Sequence, residues 1–132
     1  MAGTFHFELV TPEHLLLGGE AEQVVIPGVE GDFAVLAGHA PVISTLRPGI
    51  LEITMTDAKR RVFVKKGVAE ADPERLTVLA QTAVDVDEFD ARRIAEELKA
   101  AEVELAEAQD DQAKLLAETL VDQLKRLQAK AA

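Results

Sequence analysis

The stretch Ala83-Val84-Asp85-Val86-Asp87-Glu88-Phe89-Asp90-Ala91-Arg92-Arg93-Ile94-Ala95-Glu96-Glu97-Leu98 is where the hydrophobic rhythm of the chain changes. Before it, apolar residues recur at every second position; after it, they recur at every third and fourth. A period of two belongs to a strand with one buried face, and a period near 3.6 to a helix with one apolar stripe. The chain therefore reads as α+β, with β-structure over residues 1–86, helices over 87–132 and a boundary near Asp85 to Asp87.

Toward the N-terminus, Phe5, Phe7 and Leu9 alternate with His6 and Glu8, and Leu51, Ile53 and Met55 alternate with Glu52 and Thr54. Val62 and Val64 flank Phe63 in the same manner, so each run predicts a half-buried strand. Turn signals at Gly18-Gly19, Pro27-Gly28, Pro48-Gly49, Asp57-Ala58-Lys59 and Asp72-Pro73 cut this half into many short strands, as in a sandwich or barrel. The clearest hairpin joins Ile50–Thr56 to Arg60–Lys66 through three residues centred on Ala58.

Toward the C-terminus there is neither Gly nor Pro after Val86. Ala91, Ile94, Leu98, Ala101, Leu105 and Ala108 fall on one stripe of a first helix, and Ala113, Leu116, Leu120, Leu124 and Leu127 on one stripe of a second. Ile94, Leu98, Leu105, Leu116, Leu120, Leu124 and Leu127 are the expected packing residues of an antiparallel hairpin. Asp111 is the expected cap of the second helix. No helix breaker separates the two, so one continuous helix from about Glu88 to Lys130 is a second available form. Opening the hairpin exposes Leu and Ile side chains worth about 1.5–3 kcal/mol each when fully buried, so a partner surface has to replace those contacts.

The formal charge of −10 comes with no Lys/Arg-rich face, which removes the main source of affinity for nucleic acid and for anionic lipid. Five Phe and no Trp or Tyr leave the core to Val, Ile, Leu and Ala. The absence of Cys excludes disulfides and thiolate chemistry and fits a reducing compartment. No apolar run approaches the roughly 18 residues of a membrane span, so association with a membrane is expected through partners and not by insertion.

The three histidines, His6, His14 and His39, form no HxH, HxxxH or HExxH spacing, and the chain has no GxSxG, GxGxxG or Walker-type loop. No metal site, cofactor or catalytic residue is expected. In Gly28-Val29-Glu30-Gly31-Asp32 the two carboxylates would repel a phosphate, so the run reads as a turn with a charged tip.

Gly31-Asp32-Phe33-Ala34-Val35-Leu36-Ala37-Gly38-His39-Ala40-Pro41 closely resembles the signature of the ε subunit of F-type ATP synthases, called δ in mitochondria. Phe7-Glu8-Leu9-Val10-Thr11-Pro12-Glu13, Val24-Val25-Ile26-Pro27-Gly28, Leu46-Arg47-Pro48-Gly49-Ile50-Leu51, Val64-Lys65-Lys66-Gly67-Val68-Ala69-Glu70 and Leu76-Thr77-Val78-Leu79-Ala80 extend the likeness along the first half. The Ala-rich tail has the length and order of the family's helices.

The resemblance implies a flattened sandwich of about ten strands followed by an αα-hairpin. It implies a non-catalytic rotor subunit at the foot of the central stalk, between γ and the ring of c subunits, on the cytoplasmic face of a bacterial inner membrane. Glu30, Gly31 and Asp32 match the loop that faces the c-ring, and Gly38, His39, Ala40 and Pro41 the segment near γ. The tail matches helices that extend along γ to the αβ head and resist ATP hydrolysis. Some members bind ATP at a motif Ile/Leu-Asp-x-x-Arg-Ala, where this chain has Val86-Asp87-Glu88-Phe89-Asp90-Ala91. Asp90 replaces the Arg, putting a repelling carboxylate where a phosphate partner would stand and leaving Asp87 and Arg93 as the candidates for ATP. A free-standing ATP-sensing module is the alternative reading.

Overall fold

The structure, a computed structural model, describes residues 3–131. It divides into two compact units, one ending at Asp85 and the other beginning at Val86.

The first unit contains strands β1 (Phe5–Val10), β2 (Leu15–Gly28), β3 (Gly31–Leu36), β4 (Val42–Thr45), β5 (Gly49–Met55), β6 (Lys59–Ala71) and β7 (Arg75–Asp85). Their hydrogen bonds run β1-β7-β6-β5-β2 and return from β2 to β1, closing a ring in which β1 and β7 are parallel and the other pairs antiparallel. Closure removes five strands from the sheet edge, where unpaired backbone invites aggregation. β3 flanks the ring on β2, and β4 flanks it on β6.

The family likeness implies about ten strands and the described residues form seven, because three of the seven are long enough to serve twice. β2 pairs with β1 through its first half and with β3 through its second, separated by a register shift between Ala21 and Gln23. β6 pairs with β5 up to Val64 and with β4 from Val68. β7 holds β1 only through Arg75–Leu79 and continues to Asp85 on β6 alone.

The expected alternation places Phe5, Phe7 and Leu9 of β1 and Leu51 and Ile53 of β5 in the core, beside Val24, Ile26, Val35, Val62, Val64, Leu76 and Val78. Phe63 departs from the half-buried pattern: it points away from Val62 and Val64, yet it too is fully buried. The β5–β6 hairpin forms, but its three-residue loop is Thr56-Asp57-Ala58, one residue earlier than read: Lys59 already pairs with Thr54, and the Met55 N–H donates to the Ala58 carbonyl. At the β6–β7 turn, the Asp72 carboxylate accepts from the backbone of Glu74 and Arg75 at 2.8 and 2.9 Å, the local bonding that makes Asp-Pro a turn signal.

The second unit begins with a 3-10 turn, Val86–Glu88, followed by α1 (Ala91–Glu107) and α2 (Asp111–Ala131), which pack against each other. Asp90 caps α1: its carboxylate accepts from the Arg93 N–H at 2.8 Å. Ala108 is extended, which ends α1 without Gly or Pro. The cap of α2 is Asp110 and not Asp111, since the Asp110 carboxylate accepts from the Ala113 N–H at 2.7 Å. Asp110→Ala is expected to lower the stability of the helical unit by about 1 kcal/mol and Asp111→Ala by clearly less. Thermal melts followed by the helical dichroism signal would compare the two.

Ile94, Leu98 and Ala101 of α1 are buried and Leu105 is half-buried. On α2 the buried stripe runs Ala117, Leu120, Val121, Leu124 and Leu127, whereas Leu116 is 38% exposed. The expectation for Leu116 is therefore corrected. Steps of three and four from Leu127 and Leu124 lead through Leu120 to either 116 or 117, and the smaller Ala117 takes the inner place.

Candidate contact surfaces of the sandwich and the helical unit

The two segments singled out as contacts lie at opposite ends of β3, roughly 17 Å apart at about 3.3 Å per strand residue. At the first end, β2 and β3 form a hairpin whose last pair is Gly28 and Gly31, leaving Val29 and Glu30 as the two residues of its tip. Both are exposed. Gly31, at φ +133°, takes a backbone conformation that a side chain would strain. Asp32 is exposed but paired: its Oδ1 accepts from Arg47 Nη2 at 2.6 Å. The tip therefore presents an apolar side chain, Val29, and the carboxylate of Glu30, which has no partner among the described residues.

At the other end, Gly38 turns the chain at φ +81°, and its N–H donates to the Pro73 carbonyl, tying the loop to the β6–β7 turn. His39 is half-buried, with its backbone N–H on the Leu36 carbonyl and its Nδ1 2.6 Å from the Ala40 carbonyl oxygen. Ala40 and Pro41 are exposed. Pro41 and Ile43 line an open groove with Glu70, Asp72 and Arg75. Ile43 is 72% exposed and Leu36 48%, so this end carries apolar surface that the sequence reading left out. The available signal was Ile43 itself, a large aliphatic residue on the outward register of β4.

The remaining histidines serve local structure. His6 lies 3.5 Å from Glu8 and 3.6 Å from Glu20, and the backbone carbonyl of His14 accepts from Thr11. In the helical unit, the Arg93 guanidinium stands 5.8 Å from the centre of the Phe89 ring, within cation–π range. The N-terminus of α1, the natural seat for an anion, is taken by the Asp90 carboxylate. Asp87 lies in the 3-10 turn just before it.

Residues 4–86 match the family model described as the ATP synthase, Delta/Epsilon chain, beta-sandwich domain. The chain belongs to the ATP synthase delta/epsilon family. It is similar to the ATP synthase epsilon chain of Parvibaculum lavamentivorans, with 46% identity over 128 residues covering 96% of this chain and 97% of that one. ATP synthase epsilon chain 1 of Nitrobacter hamburgensis is 44% identical over 126 residues, 96% of this chain and 93% of the other. These relatives match across both units, so the family likeness is not confined to the sandwich.

Two solved structures share the fold. One is from the Euglena gracilis mitochondrial ATP synthase, resolved as OSCP, F1 and c-ring, at a TM-score of 0.74 and 23% identity over 98% of this chain and 82% of that one. The other is from the central stalk and c-ring of the Tetrahymena thermophila mitochondrial ATP synthase, at 0.67 and 14% over 96% and 98%. At these identities the epsilon-type architecture is what is shared. Among the described residues, no helix is long and apolar enough to cross a membrane.

Proposed function

We propose that this epsilon-family chain is the non-catalytic central-stalk subunit of a proton-driven ATP synthase, fastening γ to the c-subunit ring so that torque passes between them. The observation that carries this reading is the likeness to epsilon chains over nearly their whole length. Residues 1–86 form the part that holds γ and the ring. Glu30, Gly31 and Asp32 meet the polar loops of the ring, and Gly38, His39, Ala40 and Pro41 lie against γ. Placing the two contacts at opposite ends of one hydrogen-bonded strand suits a part that transmits force, because β3 joins them by extended backbone with little compliance. The exposed Ile43 and Leu36 add apolar area at the γ end.

Residues 87–132 form a regulatory hairpin that leaves its packed state to reach the αβ head and slow ATP hydrolysis. The extended residue Ala108 supports this, since a break made without Gly or Pro can rejoin the helices. The complex places the chain on the cytoplasmic face of a bacterial inner membrane, held there by its partners. A free-standing ATP sensor is the weaker reading, because a nucleotide phosphate at α1 would displace or face the Asp90 carboxylate.

Co-purification with γ, using the full chain and a chain ending at Val86, tests both halves when followed by ATPase assay of the reconstituted αβγ complex. Both forms are expected to bind γ, and only the full chain to slow hydrolysis. Failure of both forms to bind γ would remove the rotor assignment, and full-length binding without inhibition would remove the brake.

A further inference from the structure

The hairpin tip at Val29 and Glu30 is held by a residue from a third segment. Arg47, which follows β4, donates from Nη1 to the Gly28 carbonyl at 3.0 Å and from Nη2 to Asp32 Oδ1 at 2.6 Å. One guanidinium thus bridges both strands at the foot of the tip, using the planar fork that distinguishes Arg from Lys. Its backbone is fixed as well: the Arg47 N–H donates to the Pro27 carbonyl at 2.9 Å, and the Val29 N–H donates to the Thr45 carbonyl at 3.0 Å.

The ground beneath this clamp has no slack. Leu46, Pro48, Gly49, Pro27 and Gly28 are all buried. A Cβ on Gly28 would stand 2.9 Å from the Gly31 carbonyl oxygen and 3.0 Å from Ser44 Oγ, and one on Gly49 would stand 2.8 Å from Pro27 Cβ. The Arg47 side chain is 27% exposed and that of Asp32 59%, so the ion pair sits at the surface while its cationic half is anchored from below.

We infer that Arg47 is a positioning residue for the ring-facing tip: it neutralises Asp32 and fixes Val29 and Glu30, so that Glu30, without a partner among the described residues, is the carboxylate the tip offers to a cationic group of the ring's polar loops. The inference rests on the reading of this tip as the ring-facing surface. Arg47 acts through the tip and does not itself meet the ring.

The test uses the full chain as wild type, Glu30→Gln, Arg47→Ala and the double variant, binding to isolated γ and to a γ–c-ring assembly in detergent. Each single variant is expected to bind γ as the wild type does and the ring assembly about tenfold more weakly, the scale of one charge-assisted hydrogen bond. Because both act at one contact, the double variant is expected to be no weaker than the weaker single. Exchange of the Val29 amide, measured by NMR on the free chain, is expected to speed up in Arg47→Ala and not in Glu30→Gln.

Multiplying effects in the double variant, or unchanged ring binding in Arg47→Ala, would overturn the inference while leaving the ring-facing reading in place. Wild type that gains nothing from the ring over γ alone would overturn both. Should Arg47→Ala fail to fold, Arg47→Lys keeps the cation but not the fork, and Val29 amide exchange at the wild-type rate in that variant would equally overturn the clamp.

Discussion

Gly67→Ala is expected to destabilise the sandwich by about 3 kcal/mol, the upper end of what overpacking usually costs, because the obstacle is backbone and not a movable side chain. A Cβ at position 67 would run into the Leu79 carbonyl oxygen and stand 2.9 Å from the Ala80 Cα. Both belong to β7, the strand that β6 pairs with along nearly its whole length. The neighbouring Lys66 is in the left-handed region at φ 58°, and the register passes from Lys65–Thr82 to Gly67–Ala80 without pairing it regularly. The register itself does not shift here, but the β7 backbone passes so close to position 67 that only Gly leaves room.

Relief would require β7 to move, and β7 also holds β1 in the closed ring. The Gly67 carbonyl accepts from the Leu46 N–H as well, so the strain would reach the segment that carries Arg47. Urea unfolding midpoints measure the effect, with Gly38→Ala as the comparison. Gly38 has open space around it but sits at φ +81°, so its substitution should cost only about 1–2 kcal/mol. A Gly67→Ala midpoint close to that of Gly38→Ala would show that the two strands can part without cost.

What the sequence made legible follows from how local each signal is. The change of period near Asp85, the β5–β6 hairpin and the Asp72-Pro73 turn each depend on residues within a few positions of one another, and each appears in the structure, the hairpin with its loop one residue earlier than read. Long-range effects were not legible. The Arg47–Asp32 pair joins residues 15 positions apart, and nothing in either segment names the other. Gly67 reads as a glycine in a basic strand, and the closeness of Leu79 depends on register, which alternation alone leaves open.

Near-degenerate choices were missed for a different reason. Asp110 and Asp111 are chemically identical candidates for one cap, separated only by where Ala108 breaks the helix. Leu116 and Ala117 differ by 100° on a helix, and both satisfy steps of three and four from Leu120. Propensity has no means of choosing between such neighbours, whereas packing does.

Leu124 is the place where stability and the proposed brake can be set against each other. It is fully buried in the packed state, and Leu124→Ala should cost that state about 2–5 kcal/mol, the range for truncating a buried Leu. If inhibition requires the hairpin to open, weakening the closed form shifts the population toward the open one, and each 1.4 kcal/mol does so tenfold until the open form predominates. Leu124→Ala should therefore inhibit hydrolysis in the reconstituted αβγ complex more strongly than wild type, while binding γ equally well. Leu115→Ala is the matched comparison, because Leu115 is 63% exposed and its loss should leave the closed form nearly as stable as before. Weaker inhibition by Leu124→Ala with γ binding intact would reverse the argument. Leu124 would then contribute more to the surface that meets the head than to the packed hairpin, and closure would not be what holds the brake off.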